Sequence, residues 1–152
     1  MRRASITTLL VGLALVVGGC GRGKEEPQRS ALAESLAHLC EQARADTEEL
    51  GLPSEKGFAV IQPGAEIGVR LAREIGKLKG ATPAEKEQIA SLAEYFRFYH
   101  NEIVAAAKLY AAGHSEVYAI TVGRARPSLV SGEALATRMG APECAVRPFP
   151  DR

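Results

Sequence analysis

A chain of 152 residues, 46% hydrophobic and 24% charged, has the bulk for one soluble domain with a single core plus appendages, and lacks the composition of a disordered or fibrous protein. Its formal net charge is +1, and without Arg2 and Arg3 the 19 basic side chains fall to 17 against 18 acidic ones, which leaves no electrostatic footprint for nucleic acid. The absence of Trp, together with four Tyr, four Phe and eight Pro, suits long helices punctuated by Pro and Gly.

The first stretch, MRRASITTLLVGLALVVGGC, has a basic start at Arg2 and Arg3, an apolar run from Leu9 to Val17 and then small residues before Cys20. This is the pattern of an export signal. The run is too short for a membrane span, which takes about 20 apolar residues. Val17, Gly18, Gly19 and Cys20 resemble the lipobox of bacterial lipoproteins. The resemblance implies a diacylglycerol thioether on Cys20, removal of residues 1–19 as signal peptide, and a membrane-anchored protein on the exported side of the cell envelope. A plain secretory signal or a retained anchor is the alternative reading. Residues 20–29 then form the lipidated cysteine and a tether: GRGKEEPQR has no apolar side chain to place in a core and reaches about 30 Å when extended.

Residues 30–152 read as the helical domain. A first helix starts at Ser30 as cap, carries an apolar stripe of Leu32, Leu36, Leu39, Ala43 and Leu50, and ends at Gly51 and Pro53. The connection LPSEKGFAVIQPG is long enough to fold back over the bundle, and Phe58, Val60 and Ile61 within it are expected to be buried. A second helix follows Pro63 with Ile67, Leu71, Ile75 and Leu78 inward, a Glu66–Arg70–Glu74 ion-pair ladder outside, and Gly80 closing it. The longest periodic stretch runs from Thr82 to Gly113. Thr82, Pro83 and Glu85 spell a capping box with Pro at the first helical position, and Ile89, Leu92, Phe96, Tyr99, Ile103, Ala106 and Tyr110 share a face. A last helix starts at Ser115 and Glu116, is kinked or interrupted at Pro127, packs through Leu129, Val130, Leu135 and Met139, and ends at Gly140 and Pro142. Val117–Val122 suit a strand by composition, but no second strand with a turn signal exists to pair with them. The fold class is therefore all-α: an antiparallel up-and-down four-helix bundle with a kinked or broken last helix.

Three cysteines in an exported chain divide into one lipidated, Cys20, and two paired, Cys40 and Cys144, with buried free thiols as the alternative. In an antiparallel bundle the last helix finishes near the start of the first, so a few residues turning back bring Cys144 to Cys40. AHLCEQARADTEEL and MGAPECA also loosely resemble small exported bacterial helical proteins of uncharacterised role. That resemblance implies a bundle and a disulfide and transfers no catalytic residue.

His38 and His114 read as a solvated and a helix-end histidine, and His100 as a hydrogen-bonded histidine on the shoulder of the core face. Phe98 falls off that face and is expected under the segment around Phe58, or else in an exposed patch. No CxxCH, HExxH, GxSxG or phosphate-binding glycine loop occurs, so no catalytic residue, metal ligand or cofactor is assigned and no enzyme is expected. The reading is a noncatalytic interaction or structural module on the envelope, with the membrane and an envelope protein as partners. The alternative is a ligand-binding bundle for an apolar molecule, haem or metal near Tyr99, His100 and Ile103.

Overall fold

The computed structural model describes residues 29–51 and 57–145, so the signal peptide, Cys20, most of the tether and Pro53 lie outside the described residues. Four helices follow in order: α1 Ala31–Leu50, α2 Ile61–Ile75, α3 Pro83–Ala111 and α4 Ser115–Arg138, with 3-10 turns at Gly57–Val60 and Pro142–Ala145. They form an all-α antiparallel bundle. Its start-and-finish end is marked by Gly140, which abuts Ala33, and its opposite end by Phe58, which stacks on Tyr110 and meets Tyr118 edge-on.

Local chemistry sets the helix ends. The Ser30 side chain accepts from the Ala33 amide at 3.1 Å. At α3, Thr82 Oγ1 accepts from the Glu85 amide at 3.1 Å and the Glu85 carboxylate accepts from the Thr82 amide at 2.8 Å, the reciprocal capping box. Gly113 and Gly140, at φ 97° and 87°, each take the left-handed conformation that stops a helix. At both, two backbone bonds complete the stop: His114 to Leu109 and Gly113 to Tyr110 after α3, Ala141 to Ala136 and Gly140 to Thr137 after α4.

The main core joins Leu36, Ala37 and Cys40 of α1 with Ala72 and Ile75 of α2, Ile89, Leu92 and Phe96 of α3, and Leu135 and Ala136 of α4. Ala141 and Cys144 close it from the last turn. A smaller cluster of Ile61, Ala65, Ile103 and Ala107 fills the far half. The stop at Gly140 turns the chain back along α1, and Cys144 is bonded to Cys40 with Cα atoms 5.1 Å apart. Arg29, just before α1, pairs with Glu143 at 2.7 Å and fastens the same corner.

Several expectations are corrected. The α1 core face is centred on Ala33, Leu36, Ala37 and Cys40, with Leu32 and Leu39 only half-buried, because small residues let α1 approach closely. α2 begins at Ile61, since Pro63 sits in the first turn, where its missing N–H has no helical acceptor to lose. The Glu66–Arg70–Glu74 ladder gives way to nearer partners: Arg70 reaches across to Asp46 of α1 at 3.1 Å, Glu74 takes Lys77 and Glu66 takes Gln62. Val60 and Ile61 are buried but Phe58 stays 41% exposed, held by aromatic stacking. It therefore does not cover Phe98, which is 50% exposed. Val130 points outward at 52% exposure. α4 is helical through Pro127, and the carbonyl deprived of a partner there belongs to exposed Gly123, with nothing crowding it.

Replacing Cys40 and Cys144 together by serine should cost about 3 to 5 kcal/mol, because the bond closes a loop with a sequence separation of 104. Urea unfolding of oxidised wild type against the double variant measures it; equal midpoints would show that the bond adds nothing to the native state. Helix content should persist in the variant.

Candidate functional site

Among the described residues one polar side chain is buried, His100 of α3. It is held by sequence features on two helices. On α3 it follows Phe96 by one turn, and both rings leave the helix toward the interior, with Tyr99 edge-on to His100 at a centroid distance of 4.9 Å. On α2, Gly68 stands directly beneath the imidazole: a Cβ there would collide with Cγ, Nδ1 and Cε1 of the ring. Phe96 has a matching notch on α4, where a Cβ on Gly132 would lie 2.8 Å from its Cε1. Two helix-interior glycines thus receive two successive rings of α3.

His100 faces a cleft between α1 and α4, floored by Gly64, Ile67 and Gly68 of α2. Ala43, Leu71, Leu129 and the Cys40–Cys144 bond make its wall, while Arg44, Thr47, Glu133 and Glu143 supply its polar atoms. Its volume is about 60 Å³, the space of a couple of waters and well short of the roughly 300 Å³ or more of ordinary small-molecule pockets.

The electrostatics are simple. Burial pushes the His100 imidazole down to about 4, so the ring is neutral near pH 7. Its Nδ1 is buried and has no hydrogen-bond partner. At the cleft's edge, a backbone hydrogen bond from its own amide and then the Arg29 guanidinium hold the Glu143 carboxyl below its ordinary range. Thr47 donates its hydroxyl proton to the Ala43 carbonyl at 2.7 Å, which leaves its oxygen free to accept.

Of the three residues expected to face a ligand, only His100 lines the cleft; Ile103 is buried in the second core cluster, and Tyr99 packs half-buried against that cluster. His38 and His114 are exposed. His100 departs from the expected hydrogen-bonded boundary position because Gly68 admits it into the interior. That pairing was the signal to find: Gly64 and Gly68 sit four apart inside an otherwise good helix, where each costs about 1 kcal/mol relative to alanine. Among the described residues no three His, Cys, Asp or Glu side chains group so as to hold a metal ion. No family model, curated protein or solved structure matches the chain.

His100 sets a pH dependence of known sign. Its folded value, about 4, lies below the ordinary 6.5, so the unfolded chain takes up the proton first. Its effect on stability is constant above pH 6.5, and stability falls by about 3 kcal/mol as pH drops through 6.5 toward 4. The difference between wild type and His100→Phe in urea unfolding across that window isolates the ring from the carboxylates; parallel curves would exclude it. Gly68→Ala should destabilise by about 1 to 3 kcal/mol through the forced ring shift, with a changed His100 NMR signal.

Proposed function

We propose that the chain is an exported helical bundle tethered to the envelope membrane by a lipid on Cys20, and that it acts there as a noncatalytic interaction or structural module. The observation that carries the reading is the Cys40–Cys144 bond, built into the core with both cysteines buried. Such bonds persist in oxidising compartments, which supports export, and this one uses two of three cysteines, leaving Cys20 at the lipobox-like segment as the odd one. The described helices add no competing anchor, since none is long and apolar enough to cross a membrane.

The shape of the domain supports a module presented away from a surface. α1 begins directly after the tether, and its 20 residues extend about 30 Å toward the opposite end of the bundle. Apolar side chains remain exposed at that far end, including Phe58, Leu109 and Ile120, the last at 61%. For catalysis the interior offers little: its buried histidine is neutral, and its Nδ1 has no hydrogen-bond partner.

Cells fed a radiolabelled fatty acid should label the wild-type chain and fractionate it with membranes, while Cys20→Ser should lose the label and become soluble after export. Equal labelling of the two would refute the anchor. A photocrosslinking residue at position 120 should give a defined covalent product in the native envelope, and one at exposed Glu41 should not; the same pattern from both would remove the far end as the interaction surface.

A further inference from the structure

We propose that the cleft between α1 and α4 is a binding site for a short linear alcohol, its hydroxyl seated on His100 Nδ1 and its alkyl body lying along Ala43, Ile67, Leu71 and Leu129. The proposal is independent of the lipid anchor, and either can fail without the other.

Three observations converge on it. First, the chain buries an imidazole nitrogen with no protein partner, an arrangement that destabilises unless something else completes the bond. Second, the space needed for the ring is provided by Gly68 on a different helix, at the expense of helix propensity, so the placement is not a by-product of dense packing. Third, the ring that carries the orphaned atom lines a real cavity, as does Gly68, against which Nδ1 lies: about 60 Å³ holds a hydroxyl and a few carbons but no ring system, and the walls beyond His100 are mostly aliphatic.

Chemistry then selects the class. A neutral imidazole nitrogen donates or accepts according to its tautomer, and a hydroxyl satisfies either case with a single atom. The cleft's polar atoms carry both signs, Arg44 against Glu133 and Glu143, beside a neutral ring and aliphatic walls, so an ion of either sign meets like charge as well as opposite charge and gains no consistent compensation for its lost water. A slender chain suits a cleft bounded by Ala43 of α1 on one side and Leu129 of α4 on the other.

The test titrates the full chain with 1-alkanols from ethanol to 1-hexanol while following the His100 ring signals by NMR. Saturable shifts are expected, tightening about fourfold for each added methylene until the chain fills the cleft and then levelling. His100→Phe should abolish the response. Ala43→Leu, at a half-buried α1 position, should fill the cleft and weaken binding at least tenfold while leaving helix content unchanged, which keeps the test decisive if the His100 variant does not fold. Equal binding of 1-chlorobutane and 1-butanol would show a merely apolar void and overturn the hydroxyl assignment. Tighter binding of butyrate than of 1-butanol near neutral pH would overturn the uncharged class. The absence of any saturable shift at concentrations on the order of 100 mM would leave water as the occupant and end the proposal.

Discussion

The position of α1 depends on one covalent bond more than on its own packing. Of the 20 residues of α1, those buried are Ala33, Leu36, Ala37 and Cys40, all in its first half. Leu36 is the single large side chain among them, and its burial contributes about 2 to 3 kcal/mol. Closing the long loop between Cys40 and Cys144 contributes about 4 to 5 kcal/mol in the chain-entropy model, so the bond outweighs the largest apolar contact that α1 makes. The second half of α1 is held more lightly, through the exposed Arg70–Asp46 pair and half-buried Ala43 and Thr47. The cleft in front of His100 follows from this arrangement. α1 is fastened at the disulfide and turned toward α2 beyond it, so it does not close onto α4.

Much of that architecture was legible in the sequence because its signals are local. Thr82, Pro83 and Glu85 act on amides within one turn of themselves, and Gly113 and Gly140 act on carbonyls within the preceding turn, so no tertiary contact is needed to decode them. The disulfide was legible for a different reason. An antiparallel bundle fixes where the last helix ends relative to the first, and Gly140 supplies the reversal that carries Cys144 back along α1 to Cys40.

Side-chain environment was less legible wherever it depended on which neighbour a helix meets. The leucine stripe of α1 pointed to a face somewhat rotated from the real one, because alanines and Cys40 allow closer helix approach than leucines do. Phe58 looked like a core residue by its chain neighbours Val60 and Ile61, yet its partner is the ring of Tyr110, whose contribution is stacking at a partly exposed edge. The cleft was hidden for the same reason. His100 reads as a boundary residue on α3 alone, and its burial is decided by Gly68, a residue 32 positions earlier whose relevant property is a missing atom.

The two glycine notches separate packing from function when their costs are compared. Each helix-interior glycine gives up about 1 kcal/mol against alanine. At Gly132 the return is the close burial of Phe96, an apolar ring whose removal from water contributes about 2 to 3 kcal/mol, so the notch is explained by stability. At Gly68 the guest is an imidazole with an unpaired nitrogen, whose desolvation costs about 1 to 3 kcal/mol and offsets whatever its carbon atoms gain. Two notches of similar geometry, on different helices but receiving rings of the same helix, thus have opposite energetic signs. Natural sequences relax local consistency chiefly where a site demands it. By that criterion, the His100 notch is the place where the fold departs from what stability alone would select.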